Sequence, residues 1–308
     1  MTSSTADADG SLPPVRDMRI GRRAVRTAFA AAAFLSAKGT LEDKVIATGI
    51  ETYKPPLNYA EVPISRKVPL ITSAEGTFKD SSLIISQLTT YLKRPDRNLF
   101  EIDEMYPTIE AINDDGKVVK VCPNKYVIMT EDSNDDEEFA YDREERKWRE
   151  WVDDHFIHLI SPNIYRNFSE SLETFEWFSK FGEWDVNFST WSRLLAKYMG
   201  AFIMCIIAKR LKRRHNISDE RQELKDAFEE WMNAIGPYRT FLGGDKPNLA
   251  DLAMYGAMTA FAGCGAFTEA IESSSIKRWF NAVRVAVQNH EGREMLAIRT
   301  NAPAIQSK

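Results

Sequence analysis

Apolar positions recur with two different periods along this chain, and the period changes near Lys93. Upstream, short β-prone runs alternate with turn residues. VIATGI (Val45–Ile50) and VPLITS (Val68–Ser73) predict strands, and AEGTF predicts a turn into a short third strand. PPLNYAEVP, Pro55 to Pro63, predicts irregular connection. Asp80 and Ser81 then open a helix through about Leu92, with Leu83, Ile84, Leu88, Tyr91 and Leu92 on one stripe. Nearer the start, the alanine-rich run from Arg22 to Lys38 predicts a helix stopped by Gly39. Residues 1–18 are small, polar and proline-bearing, the composition of a disordered tail.

Downstream the period is helical. Trp148, Trp151, Phe156, Leu159 and Ile160 fall on one side of a helix expected to stop at Pro162. Further helices are predicted over Thr190–His215, Asp219–Ile235, Asn248–Phe261 and Ser275–His290. Residues 94–147 mix proline, glycine and charge, and Glu131 to Glu145 holds nine acids against the single Arg143. Such a run reads as a solvated loop rather than a metal site. The expected organisation is a tail (1–18), a small α/β domain (19–93), an acidic connection (94–147), an all-α domain (148–290) and a second tail (291–308).

Composition narrows the function classes. A chain of 308 residues with 44% hydrophobic residues can bury a substantial core. The net charge of −5 argues against a nucleic-acid partner, which calls for a basic excess. Cys122, Cys205 and Cys264 form no CxxC, zinc-knuckle or disulfide spacing, so buried thiols in a reducing compartment are expected, and no metal site. The longest apolar run, Ala28 to Leu35, is eight residues, far short of the roughly 20 of a membrane span. Five arginines against one acid between Arg16 and Arg26 faintly suggest a mitochondrial presequence; an ordinary amphipathic helix explains the same residues.

Two constellations carry candidate chemistry. Val68-Pro69 at a strand start is awkward, because proline removes a ladder donor. A cis peptide there would present backbone groups to a peptide-like ligand. Asp80-Ser81 stands at a helix N-terminus, where free N–H groups favour a carboxylate, and the Asp80 carboxylate could meet an ammonium group. Together these describe a receptor for a zwitterionic γ-glutamyl end; an edge strand and an ordinary helix cap describe them equally. In the helical half, His155 and His158 share a helix face, and KRLKRR (Lys209–Arg214) ends an apolar helix. Cations at a helix C-terminus are favourable by themselves. If the histidines and Arg210 or Arg214 line one cleft, it would suit an apolar anion. A third feature, FLGGDKPNLADLAMYG, is structural: Asn248 and Asp251 form a capping box after the Gly243-Gly244 turn.

RKVPLI, KDSSLIISQLTTYL, NKYVIM, KWREWVDDHFIHLISPNIYR, AKYMGAFIMCIIAKRLKRRH and GGDKPNLADLAMYG occur in that order. Over about residues 64–290 the chain resembles the membrane-associated prostaglandin E synthase type 2 family of the glutathione-transferase superfold. The resemblance implies an α/β thioredoxin-like N-terminal domain, here incomplete and lacking its first strand, followed by an all-α glutathione-transferase C-terminal-type domain, usually as a homodimer. It implies glutathione contacts at Val68, Pro69, Asp80 and Ser81. It also implies a haem or anionic-ligand pocket at His155, His158, Arg210 and Arg214. The implied activity is isomerisation of prostaglandin H2, a prostanoid endoperoxide, to prostaglandin E2, a step of lipid metabolism. Peripheral membrane association and an intracellular, mitochondrial or membrane-associated location also follow from it, with a cytoplasmic alternative.

One departure bears on catalysis. The family carries a CPFC motif at the head of its first helix, whose N-terminus would activate the thiol. The matching segment here is IGRR, Ile20 to Arg23, with neither thiol nor hydroxyl, so no catalytic residue is assigned. The expectation is a chain incomplete at its start, with a full-length relative that has lost its thiol as the competitor. A non-catalytic binding or scaffold protein is the alternative function.

Overall fold

The structure, a computed structural model, describes residues 51–52, 70–73, 76–112, 116, 118–130 and 136–290. Its N-terminal part holds an antiparallel sheet in the order β1 (Glu51–Thr52), β2 (Leu70–Ser73) and β3 (Gly76–Lys79). β2 and β3 form a tight hairpin with Ser73 opposite Gly76 and Leu70 opposite Lys79. The predicted strand Val68–Ser73 is thus seen over its last four residues. Val68, Pro69, the strand expected at Val45–Ile50, the alanine-rich helix and both tails lie outside the described residues.

Helix α1 (Ser81–Lys93) follows the hairpin directly, as its apolar stripe predicts. Ile84 packs with Phe78 and Leu99 in a small cluster that ties α1 to the sheet. Elements also occur inside the segment read as connection. Helix α2 (Leu99–Glu104) starts at a capping box of Asn98 and Glu101, and β4 (Ile109–Ile112) pairs with β5 (Val118–Val121). Part of the acidic run is helical as well, since α3 spans Asp136–Trp151. Its acids there make defined contacts: Glu144 takes both guanidinium nitrogens of Arg239, at 2.7 and 3.0 Å, and Glu145 accepts from the Leu249 amide.

A π-helical segment, Val152–Phe156, joins α3 to α4 (Ile157–Ile164) without a break. The wider turn re-phases the helix, so that Trp148, Val152, Phe156, Leu159 and Ile160 all reach the interior. The expected stop at Pro162 is not observed, because α4 continues to Ile164. Proline lacks the N–H that would pair with the carbonyl four residues back. The neighbouring Asn163 adds side-chain bonds here, its amide donating to the carbonyls of Leu159 and Glu220 at 2.9 and 2.7 Å.

The rest is helical: α5 (Phe168–Phe181), α6 (Trp184–Asn187), α7 (Thr190–Arg214), α8 (Glu220–Ile235), α9 (Leu249–Thr259), α10 (Gly265–Glu272) and α11 (Ile276–Gln288). Starts and stops are encoded locally. Ser189, Asp219 and Asn248 cap α7, α8 and α9, and Gly236 at φ 72° ends α8. Asp251 is fully buried and accepts from the amides of Leu242, Gly243 and Asn248 and from the Trp279 indole. The turn before it needs glycine, since a Cβ on Gly243 would lie 2.5 Å from the Lys246 carbonyl oxygen. One core runs through this half, with Trp231 edge-on to both Trp148 and Trp279 at 5.4 and 5.3 Å. The fold is therefore a small sheet with its helices, followed by an all-α region.

Candidate functional site

The β3–α1 junction brings Asp80 and Ser81 to the surface, side by side. Asp80 is the N-cap and sits at φ 74°, a left-handed conformation that side chains other than glycine rarely adopt. Its Oδ1 accepts from the amides of Ser82 and Leu83, at 3.1 and 3.4 Å. Both bonds use Oδ1, and Asp80 and the neighbouring Ser81 are exposed at the positive end of the helix. A carboxylate and a helix N-terminus therefore stand adjacent at this surface.

Behind this surface pair lies a polar network that joins α1 to the helical half. Arg149, on α3, is only 3% exposed. Its guanidinium donates to the carbonyls of Tyr126 and Ser82, each at 3.0 Å, and to the Ser86 hydroxyl at 2.9 Å. On the π segment, Asp153 accepts from the Tyr126 hydroxyl at 2.9 Å and from the Ser82 hydroxyl through the same oxygen. Burial pushes the Arg149 guanidinium down, and the charges of Glu145 and Asp153 oppose that shift. Burial and the adjacent Asp153 carboxylate push the Tyr126 phenol well up, so it stays a donor. Three bonds from one guanidinium and two into one carboxylate oxygen fix the first turn of α1 against the helical half. Sequence reasoning missed these residues. The one available signal was a lone arginine inside the aromatic run KWREW, read only for its tryptophans.

Cys122 belongs to the same neighbourhood, within electrostatic reach of Asp80. Its half-buried thiol is pushed up by burial and further by the Asp80 charge, while its Sγ lies 3.0 Å from the Asn124 amide oxygen. It is held as a thiol, unlike the activated cysteine of a catalytic CxxC. Cys205 and Cys264 are buried as expected, and burial pushes Cys264 up to about 12.

The second expected constellation is assembled in part. His158, half-buried on α4, stacks its ring on His215 just past α7, with centroids 4.0 Å apart. Burial lowers its basicity, and His215, Arg214 and His155 lower it further against the opposing charge of Asp154. His155 is exposed and leans on the Trp151 ring at 5.3 Å. His155, His158 and Arg214 thus share one electrostatic environment. Arg210 is exposed on α7, and no contact of the described residues joins it to the histidines. His215 was absent from the expected set; only the fold shows that the end of α7 returns to α4.

Comparison with known proteins identifies relatives of the chain. Residues 194–284 match the C-terminal domain of glutathione S-transferases. Prostaglandin E synthase 2 of Danio rerio is 41% identical over 230 residues, covering 73% of this chain and 60% of the relative. Prostaglandin E synthase 2 of Mus musculus is 39% identical over 243 residues, covering 76% and 62%. The chain is a homologue of prostaglandin E synthase 2. It spans about three fifths of the length of these relatives. The thioredoxin-like and helical arrangement expected from the sequence agrees with the small sheet and the matched helical domain. Among the described residues no helix is long and apolar enough to cross a membrane, and no group of three or more His, Cys, Asp or Glu could hold a metal ion.

Proposed function

We propose that this prostaglandin E synthase 2 homologue binds glutathione at the N-terminus of α1. The observation that carries it is the pairing of the exposed Asp80 carboxylate, which caps α1, with the exposed Ser81 that begins the helix, the first turn being locked from behind by Arg149 and Asp153. Asp80 would take the γ-glutamyl ammonium, Ser81 the adjacent carboxylate, and the Val68-Pro69 backbone the cysteinyl peptide unit. The activity proposed is isomerisation of prostaglandin H2 to prostaglandin E2. It is redox-neutral overall, and with Cys122 held protonated the reacting sulfur is that of bound glutathione. A homodimer is part of the same reading.

Haem is the second ligand the resemblance implies, and the donor set suits it. His158 is kept neutral, the form in which an imidazole ligates iron, and Arg214 stands near it for a propionate, with Arg210 on the same helix. His155 would flank the same face. Haem, when bound, would supply an iron centre able to act on a peroxide bond.

Retention on immobilised glutathione, with isothermal titration for the affinity, tests the reading. Wild type is retained and Asp80→Ala is not. A wild-type protein that flows through, or an Asp80→Ala variant retained as well as wild type, would overturn it and favour a scaffold role. Product formation from prostaglandin H2 with and without glutathione tests the activity separately.

A further inference from the structure

The cations that end helix α7 face two different ways. At about 100° per residue, Phe202, Ile206, Lys209 and Arg213 fall within roughly 60° of the helix circumference. Arg210 and Arg214 are each turned about 100° from Lys209 and Arg213, and Arg214 is the one whose charge His158 feels. The first stripe borders a groove of about 420 Å³, where α7 meets the start of α5. Asn167, Phe168, Phe202, Cys205, Ile206 and Lys209 line it. Phe168, Phe202 and Ile206 are 45, 53 and 55% exposed, and Cys205 is buried.

The polar groups at this groove have unequal freedom. Asn167 is occupied with Glu170: its Nδ2 donates to the Glu170 carboxylate at 2.8 Å, and its Oδ1 accepts from the Glu170 amide at 3.0 Å. Glu170 in turn is paired with both Arg166 and Arg221, and Glu220 is paired with Lys212. Lys209 and Arg213 are exposed, and no ion pair among the described residues uses either of them. Lys209 lines an otherwise apolar wall with its methylene stem while its ammonium stays in water.

We infer that this groove binds a single-chain fatty-acid carboxylate. The chain lies along Phe168, Phe202 and Ile206, and the carboxylate sits between Lys209 and Arg213. The inference does not depend on the glutathione site. Apolar side chains come first along the helix and the two unpaired cations follow, over about 16 Å from Phe202 to Arg213. That is the order of tail and head in a fatty acid. The groove is at the small end of ligand pockets, which run from roughly 300 to 1,000 Å³, a size that suits one chain. A cationic head would meet like charge at the same place, and that repulsion sets the sign of the specificity.

Fluorescence of cis-parinaric acid titrated with the wild-type chain tests the inference, with dodecanoate below its micelle concentration as competitor. Saturable binding is expected, displaced by dodecanoate and not by dodecyltrimethylammonium of the same chain length. Lys209→Glu should weaken binding about 5–10-fold. Adding Arg213→Glu should reverse the preference toward the cationic amphiphile, a signature that misfolding does not produce. Ile206→Glu sets an anion in the groove and should abolish binding; should that variant not fold, the exposed Lys209→Glu change still decides the matter. A wild type without saturable binding, or binding unchanged by Lys209→Glu, would overturn the inference. So would a protein indifferent to free dodecanoate that sediments with phosphatidylserine vesicles through Lys209 and Arg213, which would assign the cations to a membrane surface. Glutathione retention should be the same in all these variants, so failure here is separable from failure of the glutathione reading.

Discussion

The Tyr126 hydroxyl donates to Asp153 at 2.9 Å, across the boundary between the N-terminal elements and the helical half. Because Ser82 donates to the same oxygen, one carboxylate holds both the segment after β5 and the first turn of α1. Tyr126→Phe removes one bond to a charged acceptor and should cost about 1.5–3 kcal/mol. Asp153→Ala leaves two hydroxyls without an acceptor and should cost more. Urea unfolding gives both values, and isothermal titration should show glutathione affinity falling with them. Unchanged affinity in a folded Asp153→Ala protein would mean that the receptor stands without this support.

Arg149 presents the sharper case. Its three acceptors are enclosed, so Arg149→Met would leave the Tyr126 carbonyl and the Ser86 hydroxyl short of a donor, while the Ser82 carbonyl keeps its bond from the Ser86 hydroxyl. The expected loss is roughly 3–5 kcal/mol, the scale for removing one member of a buried charged network. Arg149→Lys should recover little, because an ammonium cannot span acceptors that a planar fork reaches. Thermal and urea melts of the two variants decide it; full recovery by lysine would show that charge alone matters.

Much of this protein could be read in its sequence because the signals were local. Asp80, Ser189, Asp219, Asn248 and Asp251 cap or position helices by bonds to residues two to nine positions away. The long helices followed from their periodicity. The failures have non-local causes. The helix through Pro162 persists with the added bonds of Asn163 to Leu159 and Glu220, the second a partner 57 residues away. The acids after Asp136 are helical and find partners in Arg239 and Leu249, about a hundred residues on. The hydrogen bonds of Arg149 span 23 to 67 residues, and His215 meets His158 only after α7 has formed. No window of sequence contains those pairs.

Asp80 separates stability from function. At φ 74° a glycine relieves backbone strain, while loss of the cap to glycine costs only a few tenths of a kcal/mol. Asp80→Gly should therefore be as stable as wild type, or more so by about 1 kcal/mol. Asp80→Ala keeps the strained conformation, loses the cap and should be about 1 kcal/mol less stable. Both lack the carboxylate and should lose glutathione retention. Urea midpoints and retention of the pair would show the two effects diverging; retention following stability would refute a ligand role.

The α5–α7 contact sets how closely the helices approach. A Cβ on Gly200 would lie 2.4 Å from the Phe175 ring, which is buried and packed against Tyr165, Phe178 and Trp184. Gly200→Ala should therefore destabilise by about 1–3 kcal/mol despite alanine's better helix propensity. Gly200→Ala with Phe175→Leu should recover part of the loss. A single variant as stable as wild type would mean that Phe175 moves aside at little cost.

His158 should make stability fall in mild acid. Burial lowers its basicity below the ordinary value of 6.5, and His215, Arg214 and His155 add to that against Asp154. Its folded pKa is thus depressed, so between the folded value and 6.5 the unfolded chain binds more protons than the native one. Stability is fully present above about pH 6.5 and is lost as pH falls through the folded value. His158→Asn removes this linkage, whereas the buried carboxyls of Glu145 and Asp251, both pushed up by burial, titrate in parent and variant alike. The difference between the two unfolding free energies should therefore drift in favour of the variant from pH 7 to pH 5. Urea unfolding at four pH values measures that difference, and a flat one would show that His158 becomes protonated in the native state without penalty.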